Sequence, residues 1–187
     1  MELSNSQTLP VGQSVAWAAL NDIEVLRECI PGCELLTQVD DSEFDVVVVS
    51  AIGPVKAKFK GKLKLLKVVP PTSYEIHFEG SGGPAGHGKG TAAVRLESLE
   101  PSSTVLHYTA NARVGGKIAQ IGSRLVDMAA QKMAGDFFQK FNAALVARHP
   151  ASAPATEPTP NVLAAGGPSL LARLALWLRK RLRVSSR

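Results

Sequence analysis

The sequence predicts an α+β fold: a curved antiparallel sheet of about seven strands, two short helices after the first strand, one long helix after the last, and a separate amphipathic helix ending the chain. Three observations predict it. VKAKFKGKLKLLK and SYEIHFEG alternate apolar and polar residues with a period of two. About 30 residues after Gly115-Gly116 repeat apolar side chains at three- and four-residue steps. Two shorter helix-like stretches end at the stop Pro31-Gly32. With 187 residues, 45% hydrophobic and 20% charged, the chain suits one globular domain with a substantial core and some additional chain.

Residues 2–9 read as a short strand, and VGQSVAWAALN and DIEVLRECI as the two short helices, with Asp22 as N-cap of the second. ELLTQVD and FDVVVVSA follow as strands separated by Asp40, Asp41 and Ser42. Their β-branched runs suggest a central, well-buried part of the sheet. In VKAKFKGKLKLLK, Val55, Ala57, Phe59, Gly61, Leu63 and Leu65 share one face, and Lys56, Lys58, Lys60, Lys62 and Lys64 the other. SYEIHFEG sends Tyr74, Ile76 and Phe78 inward and Glu75, His77 and Glu79 outward. A hairpin of the two sets lysines across from glutamates, so the lysine row reads as a solvated charge ladder. A docking face for an acidic partner or lipid headgroups is the other reading.

GSGGPAGHGKGT, residues 80–91, superficially resembles a phosphate loop. Lys89 precedes Gly90 rather than Ser or Thr, however, and an alternating strand follows where a phosphate site needs a helix N-terminus. The glycines instead suggest bulges and a wide turn at a sharp bend of the sheet. STVLHYTANARV places Leu106, Tyr108, Ala110 and Ala112 on the inner face. The long helix then presents Ile118, Ile121, Leu125, Met128, Ala129, Met133, Phe137 and Phe141 to the sheet. Met128 and Met133 fit ordinary core or the adaptable wall of a pocket equally well. Cys29 and Cys33 in CIPGC lack the partners of a zinc set and read as small residues packed where a helix meets a strand. The four histidines have no metal-ligand spacing.

Charge is unevenly distributed. The net charge is +5, yet residues 161–187 hold Arg173, Arg179, Lys180, Arg181, Arg183 and Arg187 and no acid, which leaves the rest of the chain at −1. A nearly neutral body argues against nucleic-acid binding, which needs a basic stripe on the folded domain. Residues 149–168, rich in proline, alanine and threonine, read as a flexible linker spanning about 25 Å as a coil. Beyond it, from 169 to 187, Leu170, Leu171, Leu174, Trp177, Leu178 and Leu182 gather on one side of a helical wheel. Arg173, Arg179, Lys180 and Arg183 gather on the other; Leu176 and Arg181 depart from the pattern, though Arg181 adds charge. Fifteen helical residues reach roughly 22 Å, short of a ~30 Å hydrocarbon core, so the segment is expected to lie in the interface of an anionic membrane rather than cross it. Docking of this tail onto an apolar groove or a partner protein is the alternative. The N-terminus MELSNSQTLP lacks the cationic start and apolar run of a secretory signal, which predicts a cytoplasmic chain held peripherally at the inner face of the membrane.

Four segments, VAWAALNDIEVLRECIPGCELL, GPVKAKFKGKLKL, GSGGPAGHGKGTAAVRL and VGGKIAQIGSRLVDMAAQKMAGDFFQKF, in this order, resemble the CoxG family of carbon monoxide dehydrogenase subunits over residues 1 to about 147. The most specific features are the PGCE segment at Pro31 to Glu34 and the glycine-rich turn before an AxVxL strand. The wider superfamily is that of START and Bet v 1-like helix-grip (SRPBCC) proteins. The resemblance implies a helix-grip domain over 1–148 with an apolar cavity between sheet and helix. It further implies a non-enzymatic accessory role toward a molybdenum-containing carbon monoxide dehydrogenase or related hydroxylase. The expected partners are that enzyme, anionic membrane lipids and a hydrophobic small molecule such as a respiratory quinone, menaquinone or ubiquinone, with no covalent cofactor.

No catalytic motif transfers from the family residue by residue, so the candidate cavity set follows from strand and helix faces: Phe59, Leu63, Tyr74, Phe78, Tyr108, Leu125, Met128 and Met133. Two other functions compete. A ligand-free scaffold or assembly factor would have a filled core. A cyclase- or hydrolase-like helix-grip enzyme would need an inward acid or histidine, whereas the alternation sends Glu75, His77, Glu79 and His107 outward.

Overall fold

In a computed structural model of the protein, the structure describes residues 1–150. The elements follow in the order β1 (Glu2–Leu9), α1 (Gln13–Leu20), α2 (Ile23–Cys29), β2 (Cys33–Gln38), β3 (Glu43–Ile52), β4 (Val55–Val69), β5 (Ser73–Ser81), β6 (His87–Glu100), β7 (Ser103–Gly115), α3 (Lys117–Gln120) and α4 (Ser123–Arg148). One seven-stranded antiparallel sheet has the order β1-β7-β6-β5-β4-β3-β2. The linker from residue 151 and the whole amphipathic segment 169–187 lie outside the described residues.

Local chemistry sets the boundaries. Asp22 caps α2 by accepting hydrogen bonds from the backbone N–H groups of Glu24 (2.9 Å) and Val25 (3.2 Å), a motif worth about 1 kcal/mol. Gly53, at φ +56°, turns β3 into β4 within two residues. The long strands come from the alternation: Leu63 faces Phe44 and Phe78 across the neighbouring strands, and Val94 lies between Tyr74 and Tyr108. The densest packing lies where α1, α2 and the C-terminal half of α4 meet the sheet. There Phe138, Phe141 and Leu145 are buried with Leu9, Leu96 and Leu106, and Cys29 is enclosed in the same cluster. The hydroxyl of Thr104, fully buried, donates to the Val11 carbonyl at 2.8 Å and so satisfies its own burial.

Four expectations change. The ELLTQ run is not central: β2 is a sheet edge, with Leu36 buried and Leu35 47% exposed. β-branched residues suit any pleated surface, and this edge is protected by a register shift between Cys33 and Leu35 and by the Glu34–Lys58 ion pair at 2.7 Å. The charge ladder is only partly built across β4 and β5. Lys62 stands opposite Glu79, but the ion pairs formed besides Lys58–Glu34 are Lys64–Glu43 (2.6 Å) on the β3 side and Lys67–Glu75 (2.8 Å). Long lysine side chains choose between two neighbouring strands, and such exposed pairs contribute little.

The glycine-rich segment makes a compact turn through the 3₁₀ residues Gly83–Ala85 rather than a wide one. Its glycines accommodate aromatic rings: a Cβ on Gly82 would lie 2.7 Å from the Phe59 ring, and one on Gly90 would lie 2.7 Å from Phe78 and collide with the Asn111 carbonyl. The long helix, finally, is broken at Gly122, at φ +96°. Within α4 itself, repeated four-residue steps drift by about 40° each, so Val126, Phe138, Phe141 and Leu145 share the buried face while Leu125 and Met128 are exposed.

Gly90→Ala is expected to destabilise the domain by about 1–3 kcal/mol, because neither a carbonyl nor a packed ring can yield to the added carbon. Gly135→Ala, in mid-helix with open space around it, is expected to stabilise by about 0.5–1 kcal/mol. Urea unfolding of the two variants beside the parent checks both signs.

Candidate functional site

An apolar cavity of about 220 Å³ lies between the sheet and the helices. Leu20 and Asn21 from the end of α1, and Leu26 and Ile30 from α2 and its C-cap, form one wall. Leu36, Phe44, Leu63, Leu65, Tyr74, Ile76, Val94 and Leu106 rise from six adjacent strands, and Phe137 and Phe138 of α4 complete the lining. Each strand contributes through its inward phase, and α2 contributes through an i, i+4 pair, so the lining is the direct product of the two periodicities.

The lining carries no carboxylate, amine, guanidinium or imidazole. Its two polar side chains are Asn21 and Tyr74, and the Asn21 amide donates to the Trp17 carbonyl at 2.8 Å. Tyr74 is 6% exposed. Its ring meets Trp17 edge-on with centroids 5.5 Å apart, and burial pushes its phenol well above the ordinary value. The group is therefore a neutral O–H at any physiological pH. The helical wall is braced by aromatic contacts: Phe137 stacks on Phe141 at 5.5 Å and meets Phe138 edge-on at 5.1 Å, and Tyr108 packs on Phe138 at 5.1 Å.

Of the residues expected from the sequence, Leu63 and Tyr74 line this cavity. Tyr108 stands behind Phe138. Phe59 and Phe78 occupy the other end of the same inner face, over Gly82 and Gly90. Met133 is half-buried, its sulfur accepting from the Ser50 hydroxyl at 3.8 Å. Leu125 lies beside the β3–β4 turn and Met128 is 56% exposed, so neither joins the group around Tyr74. Sequence reasoning missed Leu20, Asn21, Leu26 and Ile30 on the helical wall and Leu36, Phe44, Val94 and Phe138 elsewhere in the lining. It placed Leu65, Ile76, Leu106 and Phe137 on inner faces without assigning them to the cavity; the spacing of Leu26 and Ile30 on one side of α2 was an available signal. The membrane-facing set, Leu170 to Arg183, lies outside the described residues. Among the described residues no helix is long and apolar enough to cross a membrane.

Comparison with known proteins agrees with this architecture. The sequence model of the carbon monoxide dehydrogenase CoxG subunit matches residues 8–146. No curated protein matches the sequence. Among solved structures, a conserved protein from Geobacillus kaustophilus is 29% identical with a TM-score of 0.75, covering 80% of this chain and 97% of its own. A START superfamily protein from Mycobacterium smegmatis is 12% identical with a TM-score of 0.62, covering 79% and 98%. The Zhui aromatase/cyclase from Streptomyces sp. R1128 is 13% identical with a TM-score of 0.57, covering 79% and 94%. The last two likenesses establish the fold alone, a helix-grip architecture of the START and Bet v 1 kind. The family match extends over most of the chain and over every residue that lines the cavity, and on that ground the chain belongs to the CoxG family of carbon monoxide dehydrogenase subunits.

Proposed function

We propose that this protein is a non-enzymatic accessory factor that holds the ring of a respiratory quinone in the apolar cavity and recruits a molybdenum-containing carbon monoxide dehydrogenase-type enzyme to the cytoplasmic membrane. The observation that carries the reading is the lining itself: a dozen apolar side chains around a single buried phenol. A charged ligand would be desolvated there with no counter-charge, which is prohibitive. A flat neutral ring with a carbonyl acceptor meets an aromatic wall and one neutral donor, Tyr74. The volume sets the size of what fits. At about 220 Å³ the cavity is below the roughly 300–1,000 Å³ of pockets that enclose whole drug-sized ligands. It therefore suits the ring portion of the quinone, with the polyprenyl chain extending outside. The basic amphipathic segment 169–187 supplies the membrane contact, and the family supplies the partner enzyme.

Full-length protein purified from a quinone-containing host should carry quinone at near-stoichiometric level, read by native mass spectrometry and solvent extraction. Ile76→Trp, whose much larger apolar side chain intrudes into the cavity, should sharply lower the bound quinone while the domain still melts cooperatively. An empty protein that takes up no added menaquinone would leave the ligand-free scaffold as the function. Replacing Arg179, Lys180, Arg181 and Arg183 by glutamine should weaken binding to phosphatidylglycerol vesicles by two to three orders of magnitude at low salt, from about 1 kcal/mol per cation. Co-sedimentation across a salt series checks this, and unchanged binding would remove the tail from the membrane contact.

Burial raises the phenols of Tyr74 and Tyr108, the latter against an opposing hydrogen bond with Asn5. Above about pH 10 the unfolded chain therefore loses protons that the folded chain keeps. The stability these groups contribute is fully present below that pH and lost as pH rises beyond it. Absorbance at 295 nm should show less phenolate in the folded protein than in the unfolded chain at pH 10.5, with Tyr74 the more protected of the two tyrosines, and Tyr74→Phe should flatten most of the alkaline fall in stability. Two tyrosines titrating near their ordinary value in the folded protein would contradict the burial of Tyr74.

A further inference from the structure

The end of the domain bearing the β3–β4 turn carries an apolar patch that neither the core nor the cavity uses. Leu125 and Met128, 43% and 56% exposed, lie one turn apart on the first turns of α4. The tips of Ile121 and Leu125 approach Gly53, where a Cβ would lie 3.7 and 3.8 Å from them, and the exposed Pro54 follows in the same turn. The patch therefore joins a hairpin tip to the break between α3 and α4.

Around it stand three exposed cations, Lys56, Lys117 and Arg124, none of which makes an ion pair among the described residues. The chain that builds this end, residues 46–60 and 111–126, contains no aspartate or glutamate, and the nearby Glu34 on β2 is already paired with Lys58. The adjacent acid, Asp127, has one carboxylate oxygen buried. Exposed aliphatic side chains ringed by unneutralised cations match a surface that is apolar below and anionic at its boundary.

We propose that this patch is a membrane contact of the folded domain itself: Pro54, Ile121, Leu125 and Met128 enter the headgroup boundary of an anionic bilayer while Lys56, Lys117 and Arg124 meet its phosphates. Charge decides against two other occupants. The chain's own segment 161–187 carries six cations and no acid, so folding it onto this rim would set like charges together, and a second copy of the same patch would do the same. An acidic protein would satisfy the cations, but a bilayer satisfies the aliphatic and cationic parts together without needing a matched shape. With the terminal amphipathic segment as a first anchor, a second weak contact operates at high effective concentration and fixes which end of the domain faces the lipid. The contact rests on the patch and its charges and does not depend on what the cavity holds.

The test uses the full chain with Cys33→Ser and Met128→Cys, labelled with an environment-sensitive nitrobenzoxadiazole dye; Cys29, 1% exposed, stays unlabelled. A second protein carries the dye at Ser102→Cys, in the β6–β7 turn at the opposite end of the strands. With vesicles of phosphatidylglycerol and phosphatidylcholine, the dye at 128 should shift to the blue and be quenched by spin-labelled lipid, and the dye at 102 should not. In the unlabelled full chain, Leu125→Glu with Met128→Glu should weaken vesicle affinity at least tenfold with an unchanged melting temperature. The proposal is overturned if the chain binds vesicles with both dyes equally wet, or if neutral vesicles shift the dye at 128 as strongly. It also fails if that dye is already shifted without lipid, since the patch would then be covered by protein. A shift with polyglutamate and none with vesicles would assign the patch to an acidic protein and overturn the lipid assignment.

Discussion

The seating of the C-terminal half of α4 on the sheet is the interaction on which the remaining structure depends. Phe141 is fully buried, and Phe138 and Leu145 flank it against Leu9, Leu96 and Leu106, with α1 and α2 closing the same cluster. Buried aromatic and leucine side chains each contribute on the order of 1.5–3 kcal/mol, so this end fixes the height and direction of the helix. Everything nearer the N-terminus of α4 follows from that placement. The helix then projects over the rest of the inner face at a distance set elsewhere, and side chains there either reach across the gap or leave it open.

Two different solutions occur along that inner face. At the end bearing the glycine-rich turn the strands carry Gly61, Gly80, Gly88, Gly90, Ala92, Ala110 and Ala112 on the inward phase, and the rings of Phe59 and Phe78 lie over Gly82 and Gly90. Small residues and large rings are complementary there, and Phe59 and Phe78 rest half-buried on that surface. Nearer the helices α1 and α2 the wall residues are leucines, isoleucine, valine and phenylalanines of similar size on both sides. Opposed large side chains hold the walls apart without interdigitating, and the space between them remains open. The cavity is thus a consequence of which residue sizes face each other, not of a missing side chain.

That distinction explains what the sequence could convey. The alternation in VKAKFKGKLKLLK and SYEIHFEG correctly separates inward from outward residues over β4 and β5, because a one-residue error would turn every lysine into the core. Asp22 as a cap and Pro31-Gly32 as a stop are equally legible, being local chemistry. Alternation, however, says which face a residue occupies and not how far along the strand the cavity extends, so it groups Phe59 and Phe78 with Leu63 and Tyr74 although they pack over Gly82 and Gly90 at the other end. The helical stripe fails for another reason. Leu125, Met128, Met133, Phe137 and Phe141 all lie in α4, but each four-residue step rotates by about 40°, so a run of such steps that starts at Leu125 reaches a different face of the helix by Phe141. The IGS sequence at residues 121–123 carries a separate signal, the stop and start between α3 and α4.

The drift of the apolar stripe also separates two chemistries along α4. The phase that buries Val126, Phe138, Phe141 and Leu145 turns Leu125 and Met128 outward beside Gly53, so the inner face keeps its cavity while the outside gains an apolar patch. Exposing such side chains to water is unfavourable in isolation, but a rotation of α4 that hid them would draw Phe138 and Leu145 out of the core. The seating of the C-terminal half of the helix thus sets how much apolar surface its first turns present to their surroundings.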